Sequence, residues 1–217
     1  MATRVFIVDD HPLVREWLSA LLRKQPDFEL CGAAQDANDA LPAMLVDPPD
    51  VAVVDLSLKG TSGLDLIKDL AEHLPATQAI VLSMHEEIFY AERALRAGAR
   101  GYVTKVEATD RILEAIRTVQ AGQVFVSPNM LAALTARMAT RPTGFSKDNI
   151  ATLSDRELDV FHRLGKGQTT RQIAEELVIS IKTVQAYAAR IKEKLQLANS
   201  AELVREAVRW VEQQTGS

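Results

Sequence analysis

Val51-Ala-Val-Val-Asp55-Leu-Ser-Leu-Lys-Gly60 sets four apolar residues directly before a carboxylate, and then the pattern breaks. A continuous β-branched run bounded by turn residues is the signature of a strand buried on both faces. An aspartate at its carboxyl end emerges at the rim of a sheet, where open α/β proteins place their chemistry. Three further runs share the design. Val5-Phe-Ile-Val8 leads into Asp9-Asp10, Ala79-Ile-Val-Leu82 into Ser83, and Gly101-Tyr-Val-Thr104 into Lys105. In a parallel sheet these ends lie on one edge. Three carboxylates, one hydroxyl and one ammonium are thereby predicted around a common cleft. Taken singly, the aspartates read as helix or turn caps and Lys105 as a solvated loop residue. Four such coincidences at one edge favour chemistry.

Helical periodicity fills the intervals. Pro12 suits a first helical turn, followed at helix spacing by Val14, Leu18, Leu21 and Leu22. Residues 29–34 make a weaker strand, suited to a sheet edge, and 36–45 a short helix. Gly63 opens a helix carrying Leu64, Ile67, Ala71 and Leu74. A helix over 87–97 closes at Gly98, and one over 109–121, with Ile112, Leu113, Ile116 and Val119 inward, ends at Gly122. The alternation predicts a flavodoxin-like, doubly wound, five-stranded parallel domain over residues 3–122, with the second strand at an edge. Residues 123–147 read as a linker that carries a helix-like segment over 127–139 and a Pro- and Gly-containing stretch over 140–148.

Residues 148–213 predict a small all-α domain. Ser154-Asp-Arg-Glu157 and Thr169-Thr-Arg-Gln172 both have capping-box spacing. The short break Val178-Ile-Ser180 between two helices fits a helix-turn-helix. The second of these helices carries Val184, Ala188, Ile191 and Leu195 on one face. A closing helix is expected over 201–211.

Composition narrows the class. The 217 residues are 47% hydrophobic and 25% charged, ordinary for a globular chain. No apolar stretch approaches the ~20 residues of a membrane helix, and no signal-peptide pattern opens the chain. A cytoplasmic protein with no membrane partner is expected. Cys31 is the sole cysteine, so a disulfide framework and a Cys-rich zinc site are excluded. Trp17 and Trp210 are expected to pack, and His11 and His85 to lie at the surface or behind the site. The net charge of −4 divides into +1 over residues 150–217 (10 Lys+Arg, 9 Asp+Glu) and −5 over the rest (15 and 20). One half suits cations and the other tolerates a polyanion.

Clustered carboxylates repel, and a divalent cation relieves the repulsion. Oxygen ligands favour Mg²⁺. An aspartate beside Mg²⁺ and an ammonium is equipped to attack a phosphoryl donor and to hold the product as an aspartyl phosphate. An aspartyl-phosphate phosphatase would need a second aspartate two residues after the nucleophile, where this chain has Ser57.

Val5-Phe-Ile-Val-Asp-Asp-His-Pro12 and Arg96-Ala-Gly-Ala-Arg-Gly-Tyr-Val-Thr-Lys105 resemble the response regulators of two-component systems. Leu153-Ser-Asp-Arg-Glu157, Ile173-Ala174, Thr183-Val184 and Lys194-Leu195 resemble the LuxR-type helix-turn-helix of their NarL/FixJ subfamily, so the likeness spans the whole chain. It implies Asp55 as phosphoacceptor. It also implies Mg²⁺ held by Asp10, Asp55 and the backbone carbonyl of Ser57, with Asp9 acting through water. Lys105 and Ser83 would contact the phosphoryl group, and Ser83 and Tyr102 would form a switch pair. The partners implied are a sensor histidine kinase, double-stranded DNA and a second copy of the chain. Lys182, Thr183, Gln185, Ala186, Ala189, Arg190, Lys192 and Lys194 are the candidate DNA contacts. Val106 departs from the proline common after the lysine, Tyr187 from a frequent histidine, and Asn199-Ser200 from the usual arginine.

Overall fold

A computed structural model describes residues 2–58, 62–84, 88–139, 150 and 152–215. The predicted linker over 140–148 and His85 lie outside the described residues. The chain divides into two compact units, Met1–Thr135 and Ala136–Ser217.

In the first unit strands and helices alternate: β1 (Thr3–Val8), α1 (Pro12–Arg23), β2 (Phe28–Ala34), α2 (Ala37–Val46), β3 (Val51–Asp55), α3 (Gly63–His73), β4 (Gln78–Ser83), α4 (Ile88–Ala97), β5 (Gly101–Thr104) and α5 (Ala108–Gln120). The five strands are parallel in the order β2-β1-β3-β4-β5. The weak second strand is at an edge, as its composition predicts, and β3 is central with every residue buried. On one face of the sheet, Val5, Ile7, Val51, Val53, Ile80 and Leu82 pack with Leu18 and Leu22 of α1 and Ile112, Ile116 and Val119 of α5. Trp17 packs at the margin of this core. Cys31 is half-buried, its thiol donates to the Val5 carbonyl at 3.3 Å, and burial pushes its pKa up. Gly98 and Gly122 close α4 and α5 with φ of 113° and 80°, the left-handed conformation expected of helix ends.

Two features go beyond the sequence pattern. In α3, Leu66, Ile67 and Leu70 are buried beside Leu64, while Ala71 is exposed. The run Leu64-Asp-Leu-Ile-Lys-Asp-Leu-Ala71 supports two helical registers, and packing selects the one that buries three leucines. The second feature follows α5. Phe125 forms a parallel bridge with Gly101, its backbone N–H donating to the Arg100 carbonyl at 2.9 Å and its carbonyl accepting from Tyr102 at 2.8 Å. The Phe125 ring is buried, with Arg111 stacked 4.9 Å from its centre. A segment read as linker thus covers the free edge of β5, a standard protection against edge pairing. The helix after it, α6 (Pro128–Ala139), is capped by the Ser127 hydroxyl. The compact unit correspondingly runs to Thr135.

The second unit contains α7 (Asp155–Gly165), α8 (Thr170–Glu176), α9 (Ile181–Lys194) and α10 (Ser200–Thr215). Both predicted capping boxes are formed, Ser154 with Glu157 and Thr169 with Gln172. The connection from α8 to α9 spans Leu177–Ser180, and Ser180 caps α9. Trp210 of α10 packs against Phe161 and His162 of α7 at ring distances of 5.7 and 5.8 Å.

Candidate functional sites

Four strands deliver their carboxyl-terminal residues to one edge of the sheet. Register places Val8 beside Val54, Asp55 beside Leu82, and Ser83 beside Thr104. Because each strand is buried on both faces, its first polar residue falls where the core ends. Asp9 and Asp55 are nevertheless 1% exposed and Ser83 is fully buried. The Lys105 ammonium lies 2.7 Å from Asp55 Oδ2 and 2.8 Å from Asp9 Oδ2. Asp55 Oδ1 accepts from the Ser57 amide at 3.0 Å, and the Asp9 carbonyl accepts from Arg15 at 2.6 Å.

The electrostatics follow from too many acids. Burial pushes the Asp55 carboxyl above its ordinary range; Lys105 opposes the rise and the like charge of Asp9 adds to it. Burial would lower the Lys105 amine, but Asp55 and Asp9 hold it above its ordinary value. One ammonium does not balance three carboxylates. A divalent cation would supply the missing charge. Asp9, Asp10, His11 and Asp55 each bring one potential ligand atom within 4.8 Å of the others. This oxygen-rich donor set fits a hard divalent cation. His11 lies at the surface beside the cluster, within the expectation that it sits at the surface or behind the site: its Nδ1 is 2.7 Å from Asp10 Oδ1 and 3.2 Å from Asp9 Oδ1. The Asp-Asp-His adjacency was the available signal.

In the second unit, Lys182, Gln185, Ala186, Ala189 and Arg190 lie exposed along α9, opposite buried Val184 and Ile191. Thr183 is half-buried, its amide and hydroxyl engaged with the Ser180 hydroxyl at 3.0 and 2.7 Å, and Lys192 is half-buried at the flank. Lys194 is set apart from them. Its ammonium donates to Glu157 Oε2 at 2.6 Å and to the Thr152 carbonyl at 3.1 Å, tying the end of α9 to the start of α7. Burial would raise the Glu157 carboxyl, but Lys194 and Ser154 bring it below its ordinary 4.5. A depressed carboxyl contributes stability that is complete above about 4.5 and is lost as pH falls through the folded value. Glu157→Gln should therefore cost about 1–3 kcal/mol at neutral pH, less than a fully buried pair because the Lys194 side chain is 38% exposed. It should also flatten the acid limb of unfolding, followed by Trp210 fluorescence in a Trp17→Phe background. An unchanged acid limb would remove Glu157 from this role.

The response regulator receiver domain family matches residues 5–117. The chain belongs to the response regulators. The luxR family of bacterial regulatory proteins matches residues 151–207, so this response regulator joins a receiver to a LuxR-type DNA-binding domain. It is 33% identical over 210 residues to the oxygen regulatory protein NreC of Staphylococcus carnosus (strain TM300), covering 95% of this chain and 97% of the relative. Among solved structures it is similar to the response regulator RcsB of Salmonella typhimurium, with 25% identity, a TM-score of 0.65, and 96% and 98% of the two chains covered. A structure of two RcsB dimers bound to two parallel DNAs matches with 25% identity and a TM-score of 0.58, covering 95% and 98%.

Proposed function

We propose that this response regulator accepts a phosphoryl group on Asp55 from a sensor histidine kinase, and that the modified chain dimerises and binds DNA in the cytoplasm through α9. The observation that carries the reading is Asp55 at the carboxyl end of the central strand, flanked by the Lys105 ammonium and two further carboxylates. A carboxylate oxygen of Asp55 would bond to phosphorus while the bond to the donor breaks and the donor keeps the electron pair. The Lys105 ammonium is placed to balance charge on the phosphoryl oxygens. Asp10, Asp55 and the Ser57 carbonyl would hold Mg²⁺, with Asp9 behind water. When bound, the ion supplies charge neutralisation for the transferred group. This self-modification is the only chemistry proposed for the chain. Among the described residues, no helix is long and apolar enough to cross a membrane.

In the DNA-bound form α9 would enter the major groove. Lys182, Gln185 and Arg190 are placed for polar contacts, and Ala186 and Ala189 for thymine methyls. Thr183 and Lys192 would flank these, on the phosphate backbone. Lys194 is left out of the contact set, because Glu157 and Thr152 engage it. RcsB, solved as dimers on DNA, supports the dimer.

The deciding experiment selects binding sites from random DNA with the whole chain, with and without a small phosphodonor and Mg²⁺. A specific site bound more tightly by phosphorylated protein is expected, with affinity falling steeply with salt as phosphate contacts release counterions. Equal affinity in both states, at verified phosphate occupancy, defeats the reading.

Ser83 offers a second test. It closes β4 beside Asp55, and Tyr102 lies on the neighbouring strand opposite Val81. A phosphoryl oxygen would give the Ser83 hydroxyl a charge-assisted partner and let the Tyr102 ring shift. Ser83→Ala should still accept phosphate but lose most of the phosphate-driven gain in DNA affinity, typically ~1–3 kcal/mol of coupling. A full gain in Ser83→Ala would place the switch elsewhere.

A further inference from the structure

We propose that the acidic cluster is a mixed nitrogen–oxygen site that takes a borderline transition cation, of the Co²⁺ or Zn²⁺ class, through His11 Nδ1 in competition with Mg²⁺. The inference rests on the reading of Asp9, Asp10 and Asp55 as a cation site and adds a ligand to it.

The aim of the imidazole is set by the backbone. His11 precedes Pro12, and the residue before a proline is held to extended conformations; its φ and ψ are −89° and 111°. Its amide donates to Asp9 Oδ1 at 2.8 Å, which fixes the backbone against the cluster. From there Nδ1 reaches Asp10 Oδ1 at 2.7 Å, Asp9 Oδ1 at 3.2 Å and Asp55 Oδ2 at 4.0 Å. Ligands to one first-row ion sit about 2.0–2.2 Å from it, so donor atoms all within 4.8 Å of one another close onto one ion with small side-chain adjustments. Lys105 leaves Oδ1 of Asp9 and Oδ1 of Asp10, the two oxygens nearest the imidazole, to the ion. It contacts Oδ2 of Asp9 and Oδ2 of Asp55, so the Asp55 oxygen is shared between ammonium and ion. The His11 side chain is 56% exposed, so an ion can enter from solvent.

Donor chemistry then decides which ions gain. Mg²⁺ favours oxygen ligands and retains water, so it draws little from a nitrogen. Imidazole suits Zn²⁺ and its first-row neighbours, and affinity rises along that series for a mixed site. An oxygen-only cluster would already rank these ions above Mg²⁺; the contribution of His11 lies in widening the gap. A transition ion seated this way would occupy Asp10 and Asp55 together, and so oppose Mg²⁺-supported phosphoryl transfer.

The test titrates the full-length chain with Co²⁺ and, separately, with Mg²⁺, by calorimetry and by the visible absorption of bound Co²⁺. The parent, His11→Ala, His11→Asn (a favourable residue at the N-cap of α1) and Asp10→Asn are compared after melting curves confirm folding. Both His11 variants should lower the ratio of Co²⁺ to Mg²⁺ affinity about tenfold or more and shift the Co²⁺ bands as nitrogen is lost. An unchanged ratio and spectrum in both would overturn the proposal. Asp10→Asn separates the two levels: if it weakens Mg²⁺ while the His11 variants change nothing, the cation site stands and the nitrogen ligand falls. If Asp10→Asn weakens neither ion, the cation-site reading and this inference fail together.

Discussion

Replacing Asp55 by asparagine should abolish phosphoryl uptake and, in the absence of divalent cations, raise the melting temperature of the receiver. The first effect follows from removing the nucleophile, which in covalent catalysis costs on the order of 10⁴-fold or more. The second follows from the excess of buried acid. Burial and the charge of Asp9 hold the Asp55 carboxyl above its ordinary 3.8 despite Lys105. A group raised in the folded state contributes stability that is complete below about 3.8 and is lost as pH rises through the folded value. Above the folded value the ionised Asp55 therefore opposes folding, and the neutral amide removes that opposition while Asp9 still pairs with Lys105. Adding Mg²⁺ should stabilise the parent more than Asp55→Asn, because the ion relieves a charge the variant no longer has. Mass spectrometry after treatment with a small phosphodonor, alongside melting curves with and without Mg²⁺, reads both effects. Uptake by Asp55→Asn at the parental level, with the label on another residue, would falsify the assignment.

How much of this was legible in the sequence depends on the range of each interaction. Strands β1, β3, β4 and β5 are buried on both faces, so each wrote itself as a continuous apolar run whose end marked the sheet edge. The capping boxes at Ser154 and Thr169 close within four residues and need no tertiary information. In α3 the apolar spacing alone did not say that Leu66 and Leu70 would join Leu64 and Ile67 in the core, because the run supports two registers until packing chooses one. Phe125 was missed because a single bridging residue carries no period, and only the open edge of β5 gives it a partner. Lys194 carried the same charge as its neighbours on α9, and its partner Glu157 lies 37 positions away. For His11 the sequence carried the adjacency to Asp9 and Asp10 and its place at the rim, but the distances at which its imidazole meets the two carboxylates belong to the folded chain.

Gly63→Ala should slow phosphoryl uptake by about 10²-fold although the residue carries no functional group. Gly63 begins α3, and its amide donates to the Leu56 carbonyl at 3.3 Å, just past the carboxyl end of β3. A Cβ built on Gly63 would lie 2.0 Å from the Asp55 carbonyl oxygen and 2.8 Å from both the Asp55 carbonyl carbon and Leu56 Cα. All of these are backbone atoms, so no side chain can swing aside. Either α3 retreats, at an overpacking cost of about 1–3 kcal/mol, or the end of β3 moves. The end of β3 carries the Asp55 carboxylate, the Ser57 amide bonded to it and the carbonyl proposed as a metal ligand. A displacement of about 1 Å at a reacting group is enough for a 10²-fold loss. Gly122→Ala is the control. Its φ of 80° strains any side chain, but nothing lies within 4 Å of the added Cβ. It should lower the melting temperature and leave the uptake rate at the parental level. Rates from a small phosphodonor, read with Mg²⁺ affinity and melting curves for both variants, separate loss of position from loss of stability. Should Gly63→Ala take up phosphate as fast as Gly122→Ala, α3 does not set the position of Asp55.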